Sequence, residues 1–387
     1  MKIGIDARML FFTGIGRHIL NLLKNVPPLD PDSDYTAFIR PRDRKEAEQV
    51  LGNLLTGPKA NLTLIDTIDS YYNLAEQTAH LRILNKARLD LLHVPHFNIP
   101  VRYKGRLVVT IHDLIQAHIA SQETWKARLK RHAYRYVISQ ALSKAAHVIT
   151  VSDYTRQDIV RTFGTAQSRI QVIHNGIDRL FRGSDPHPTD SQQVFHHYRL
   201  KTPYLLYVGL SSPHKNLLRL VEAMHIVNRE LDKAGPHHDK LPPQLQLVIA
   251  GKKDPRYTPQ IQEKIHNLNL RQQVHLLGFV PDQDLRILYQ CATAFVFPSL
   301  YEGFGIPPLE AMSVGLPVLS SFATALPEVL GDQAVYFDPN KASEIAEKIL
   351  MVIQDPARFK PKKLPDYNWQ KMARETLSVY RKVLAAS

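Results

Sequence analysis

Cysteine is almost missing: Cys291 stands alone among 387 residues. That excludes an intramolecular disulfide and a cysteine-based metal cluster. Long hydrophobic runs are missing too. The longest, such as "LQLVIAG" and "AFVF", are strand-length, well short of the roughly 20 residues of a bilayer-spanning helix. The start, "MKIGIDARML", has no apolar core followed by a small-residue cleavage site, so no signal peptide is expected. No C-x-x-C or H-x-x-x-H pattern marks a metal site, and the proline-flanked "DPDSD" (30–34) reads as a turn. Acidic residues are outnumbered, 36 against 49 Lys and Arg, for a net charge of +13. The excess favours an anionic partner: nucleic acid, a membrane surface or a phosphorylated ligand. No aromatic–basic RNA-binding motif or recognition helix accompanies it, so nucleic acid is not the expected partner. A cytoplasmic enzyme fits these absences.

What is present is an alternation. Short β-branched runs, "KIGID" (2–6), "TAFIR" (36–40), "LTLID" (62–66), "LLHVP" (91–95), "LVVTIHD" (107–113), "HVITVS" (147–152) and "IQVIHNG" (170–176), are separated by amphipathic helical stretches. Such an order implies βαβ units and a mostly parallel sheet. The polar stretch 182–203 interrupts the pattern and reads as a connector. Strand runs then resume with "YLLYVG" (204–209), "LQLVIAG" (245–251), "VHLLG" (274–278), "TAFVFPS" (293–299), "PVLSS" (317–321) and "AVYFD" (334–338). The expected fold is α/β, with two tandem Rossmann-like domains over 1–182 and 183–365 and a ligand cleft between them at the carboxyl ends of the strands. The tail 366–387 carries Trp369, Met372, Leu377, Tyr380 and Val383 at helical spacing, the stripe of a packed helix. The densest basic stretch, "KARLKRHAYR" (126–135), reads either as a solvated helix face or as a helix resting on anionic lipid.

Four strand-end segments carry candidate chemistry. "FTGIGRH" (12–18) places Gly14 and Gly16 where backbone amides approach an anion at a helix start, although Ile19 breaks the G-x-G-x-x-G fingerprint. "TIHDLI" (110–115) puts His112 at a strand end. "GLSSPHKN" (209–216) sets Lys215 on the loop after a strand, placed to neutralise a diphosphate, with Asn216 as a helix N-cap. "SLYEGFGIPPLEAM" (299–312) holds Glu302 in a glycine-rich loop and Glu310 in the first turn of a helix opened by Pro307 or Pro308. Capping explains Glu310 well enough, but not Glu302 or the glycines around it.

The run "FVFPSLYEGFGIPPLEAMSVGLPVLSS" with "ALPEVLGDQAVYFDP" resembles the retaining glycosyltransferases of family 4, which have the GT-B fold. "GIGRH", "TIHD", "TVSDYTRQDIV", "VIHNGID", "YVGLSSPHKNL" and "LLGFVPDQDL" extend the resemblance along nearly the whole chain. It implies that the last helix crosses back onto the first domain. It implies that Glu310 binds the donor's ribose, and that Glu302 lies near the transferred sugar with the amides of Gly303, Phe304 and Gly305. Lys215 is implied to hold the diphosphate, and the backbone of Phe279 and Val280 to read the base. Gly14 and Gly16 are implied to lie near the phosphate, and His112 near the sugar 6-hydroxyl. No metal or other cofactor is implied. One departure stands out: His214 and Leu210 occupy positions where this family often has arginine, leaving leaving-group charge to Lys215, a pH-dependent His214 or Lys252. The loops look most like those of bacterial polysaccharide mannosyltransferases. The expected donor is therefore GDP-mannose, with UDP-glucose or UDP-N-acetylglucosamine as alternatives, and the expected acceptor a saccharide or lipid-linked saccharide. A carboxylate-pair hydrolase, a nucleotide-sugar epimerase and a non-enzymatic nucleotide or nucleic-acid binder are the competing readings.

Overall fold

Strands without a polar face need cover on both sides, and parallel sheets wrapped in helices supply it. In the computed structural model, which describes residues 1–58, 60–69, 73–118, 125–181, 188–234, 241–242, 244–364 and 366–386, both sheets are of this kind. The chain divides into one unit of Met1–Gly176 with Tyr367–Ser387 and another of Ile177–Asp366. The expected boundary at residue 183 lies outside the described residues, and the division falls a few residues earlier.

The first unit contains β1 (Lys2–Asp6), β2 (Asp34–Ile39), β3 (Leu62–Asp66), β4 (Leu91–Val94), β5 (Leu107–Ile111), β6 (His147–Thr150) and β7 (Ile170–Val172). They form one parallel sheet in the order β3-β2-β1-β4-β5-β6-β7, with Ile5 paired to both Ala37 and His93. The order reverses at β1/β4, so the loops after these strands open the crevice where such sheets bind ligands. The C-terminal helix, Trp369–Ala385, belongs to this unit. Asn368 caps it by accepting from the Lys371 amide at 2.7 Å, and the anticipated stripe of Trp369, Met372, Leu377, Tyr380 and Val383 is buried. Each such side chain contributes roughly 1.5–3 kcal/mol of burial. Arg381 reaches Asp30 at 3.3 Å, and Asp30 also accepts from the Tyr35 hydroxyl at 2.9 Å, so "DPDSD" serves structure.

The second unit contains β8 (Tyr204–Val208), β9 (Gln246–Ala250), β10 (Val274–Gly278), β11 (Ala294–Phe297), β12 (Val318–Ser321) and β13 (Val335–Phe337), in the parallel order β10-β9-β8-β11-β12-β13. Here the switch point is β8/β11. The connector holds a helix that its polar sequence hid, Pro188–Tyr198. It is fastened by Val194, which is buried, and by the Tyr198 hydroxyl donating to Asp284 at 2.9 Å. Among the described residues no helix is long and apolar enough to cross a membrane.

Candidate active site

The two loops at the β8/β11 switch point carry His214, Lys215, Glu302, Gly303, Phe304 and Gly305 of the residues singled out from the sequence. After β8 the chain runs through Gly209 to a short turn, Pro213–Lys215; after β11 it runs through Pro298 to Gly305. Their topological adjacency brings Lys215 Nζ to 2.5 Å from Glu302 Oε1, with the ammonium 5.4 Å above the Phe297 ring. Both side chains are largely covered, at 16% and 12% exposure. The loops are further tied by Leu300 N–H donating to His214 O at 2.7 Å. The Glu302 amide donates to Thr324 Oγ1 at 2.9 Å, and that hydroxyl donates back to the Glu302 carbonyl at 2.9 Å. Asn216, expected as a simple cap, adopts left-handed backbone geometry at φ 58° and donates its side-chain amide to Pro298 O and Pro339 O at 3.1 and 2.7 Å. It holds Lys215 in place by stitching strand ends together.

Behind Glu302 the helix Ile306–Ser313 starts with prolines in its first turn and no side-chain cap. Pro307 and Pro308 carry no N–H, so the backbone donors left at this positive end of the helix dipole are those of Ile306 and of the loop leading into it. Gly305 makes the entry at φ 96°, and a Cβ there would meet Leu326 Cδ2 at 2.7 Å. Gly303 and Phe304 are buried alongside it. Because the helix begins at Ile306, Glu310 falls beyond the first turn, not in it as expected. It is 1% exposed and accepts from the Tyr289 hydroxyl at 3.0 Å. A carboxylate used only for capping has no need of such burial.

His214 is only half-exposed, within 3.2 Å of Ser212 Oγ. Burial, with the Lys215 charge beside it, pushes its pKa from 6.5 to about 4, against the pull of Glu302. It stands neutral at pH 7 and is no substitute cation. Lys252 has its carbonyl bonded to the Ser211 amide at 3.2 Å and its side chain exposed, so it lies next to this loop. Phe279 and Val280 follow β10 at the sheet edge; Val280 is buried and Phe279 is 78% exposed.

His112, Gly14 and Gly16 belong to the first unit. His112 follows β5 and donates from Nε2 to Pro95 O at 3.1 Å, leaving Nδ1 as the acceptor. Thr155 Oγ1 holds its carbonyl at 3.3 Å, while Ser152 caps the helix Asp153–Phe163, so "TVSDYT" anchors this histidine. Burial first, then neighbouring histidines, keep the His112 pKa well below 6.5. A Cβ on Gly16 would strike Leu10 O at 2.4 Å, so its backbone alone demands glycine; one on Gly14 would meet nothing within 4 Å. The sequence reading missed a charged cluster after β1. Arg8 clasps Asp6 at 2.7 Å and Glu76 at 2.5 Å, and Asn98 donates to Glu76 at 2.7 Å, all buried. Burial works to raise the Asp6 carboxyl, yet Arg8 and His80 hold it far below the usual range. "IDAR" at a strand end was the available signal.

Residues 12–179 match the family model described as Glycosyltransferase Family 4, and residues 190–371 match Glycosyl transferases group 1. The chain is 29% identical over 393 residues to O-antigen chain mannosyltransferase B of Escherichia coli, covering 95% of this chain and 96% of that one. Its structure is similar to sucrose-phosphate synthase from Thermosynechococcus elongatus, with a TM-score of 0.75 at 20% identity over 100% of both chains. It is also similar to HepE of Anabaena, solved with UDP and glucose, with a TM-score of 0.72 at 18% identity over 100% of this chain and 99% of that one. Two parallel-sheet units with these likenesses define a glycosyltransferase of the GT-B fold. Its first part matches glycosyltransferase family 4 and its second part the group 1 glycosyl transferases, and bacterial O-antigen mannosyltransferases are among its relatives.

Proposed function

We propose that this enzyme moves a mannosyl group from GDP-mannose to a saccharide or lipid-linked saccharide acceptor, with retention at the anomeric carbon and without a divalent metal. The observation that carries this reading is the Lys215–Glu302 pair lying 2.5 Å apart beside an uncapped helix start, with Glu310 buried on that helix. An incoming diphosphate draws Lys215 away from Glu302 and takes the amides of Gly303, Phe304 and Gly305. Glu302, released, accepts from sugar hydroxyls, and Glu310 accepts from the ribose. The Phe279–Val280 backbone reads the base. From the first unit, His112 Nδ1 accepts from the sugar 6-hydroxyl and Gly14 leaves room for phosphate. The acceptor oxygen bonds to the anomeric carbon as the carbon–phosphate oxygen bond breaks, and the acceptor proton passes to the departing phosphate. Lys215 and the helix amides supply the positive charge this leaving group requires.

Mannosyl transfer from labelled GDP-mannose, measured over acceptor and donor concentrations, tests the reading. Lys215→Ala is expected to lower kcat by about 10²–10³, the usual cost of removing one charge-stabilising group. Glu310→Ala is expected to raise the donor KM instead. Wild-type kinetics in both variants would refute the site, and turnover independent of acceptor would favour an epimerase or hydrolase.

The acceptor's setting follows from the helix Trp125–Lys144. Trp125, Leu129 and Tyr136 are 70%, 62% and 58% exposed and share one helical face, with exposed Arg128, Arg131 and Arg135 along its flank. The side chains of Lys126 and Lys130, part of the same basic stretch, lie outside the described residues. Aromatic and aliphatic groups flanked by arginine suit the anionic cytoplasmic face of a membrane.

A further inference from the structure

A buried polar atom without a partner is costly, and the first unit holds one beside His112. His18 lies on the buried face of the helix Thr13–Asn25 and is 2% exposed. Its Nδ1 is 2.8 Å from Asn175 Oδ1, which only accepts, so the neutral ring carries its proton on Nδ1. Nε2 is buried and has no hydrogen-bond partner among the described residues. The ring stands across that of His112, with centroids 4.8 Å apart and planes at 85°. Trp369 of the C-terminal helix closes another side, its ring 6.5 Å away. A flip of the His112 ring would put a C–H where its Nδ1 lone pair now stands and take Nε2 away from Pro95 O, and the His18 ring is packed edge-to-face against it.

We propose that His18 is a positioning residue for sugar transfer: Asn175 fixes its tautomer, and its ring, set across His112, keeps the His112 Nδ1 lone pair available to a hydroxyl of the transferred sugar. This role rests on the assignment of His112 to the sugar made above. It draws together residues from "GIGRH", "TIHD" and "VIHNGID", whose joint purpose the diphosphate site leaves unexplained. Neutrality is part of the device. Burial lowers the His18 pKa from 6.5 to about 4, against the Asn175 hydrogen bond. The groups facing His18 are Asn175, His112, Trp369 and, through space, His93, none of them charged at neutral pH.

Asn175→Asp tests this by setting a carboxylate against Nδ1, which raises the His18 pKa and places an imidazolium beside His112. The expected result is a kcat lowered about fivefold near pH 6.5, the worth of one neutral hydrogen bond, recovering as the pH rises while the donor KM stays within about twofold. No loss, or a loss independent of pH, would overturn the proposal. Long-range 15N spectra of the histidine-labelled wild-type enzyme, assigned with His18→Phe and His112→Phe, do not depend on the variant's folding. They are expected to show an Nδ1–H tautomer for His18 and an Nε2–H tautomer for His112; the opposite tautomer at either ring would overturn it. If the tautomers are as expected but His112→Ala keeps wild-type kinetics, the sugar assignment fails and the catalytic purpose with it, while the tautomer lock stands. The two failures are therefore distinguishable.

Discussion

Lys215 has a counter-ion beside it, since Glu302 sits 2.5 Å from its ammonium. On the proposed reading, a diphosphate competes with that carboxylate for the ammonium. Glu302→Gln removes the competitor, so GDP is expected to bind about fivefold more tightly, in keeping with the ~1 kcal/mol worth of a partly exposed pair. Turnover is expected to fall in the same variant because the sugar hydroxyls lose their acceptor. Titration calorimetry beside initial rates checks this, and weaker GDP binding would show that Glu302 supports the cation instead of competing for it. The residue types and strand-end loops of Lys215 and Glu302 were legible in the sequence, because loops after parallel strands are where such chemistry collects; Glu310 was placed on the right helix but a turn too early. The Tyr289 partner of Glu310 and the double tie made by Asn216 were not, since both depend on contacts 21 to 123 positions apart. His214 read as a possible second cation; its burial, which no local pattern announces, makes it neutral.

Secondary-structure elements show the same division between local and distant causes. The C-terminal helix was legible from its stripe, though not its Asn368 cap, and each strand was announced by a short apolar run. The helix Pro188–Tyr198 was not, because its sequence is polar and its burial depends on a few contacts such as Tyr198 with Asp284. At the helix Ile306–Ser313, the entry geometry matters more than the helix itself. Gly305→Ala forces a Cβ into left-handed backbone and against Leu326, a strain of about 1–3 kcal/mol. Urea unfolding followed by circular dichroism is expected to show that loss, with nucleotide affinity reduced because the Gly303–Gly305 amides shift. Unchanged stability would mean the loop adapts freely and is no rigid cradle.

The two-unit α/β architecture was legible from strand alternation alone, whereas the buried polar interior of the first unit was not. His18, His93, His96 and His112 are all held neutral there, with His18 near 4 and His96 near 3, burial being the leading cause for each. Below the ordinary value of 6.5 the unfolded chain takes up protons that the folded unit refuses, so stability falls as the pH drops from about 6.5 toward 4. His18 alone accounts for ~3 kcal/mol of that loss. Both tryptophans, Trp125 and Trp369, lie in this unit, so fluorescence-detected urea unfolding reports on it selectively. The midpoint is expected to fall between pH 7.5 and pH 5, and a constant midpoint would refute neutral burial.

The central claim is that a nucleoside diphosphate is held by Lys215 and the helix start beside it. Calorimetric titration of the wild-type enzyme and Lys215→Ala with GDP and UDP, in the presence of EDTA, tests it most directly. The expected result is chelator-insensitive GDP binding, tighter than UDP, that Lys215→Ala weakens at least about tenfold, as loss of a charge-assisted contact does. Failure of either nucleotide to bind, or binding indifferent to Lys215→Ala, would contradict the account.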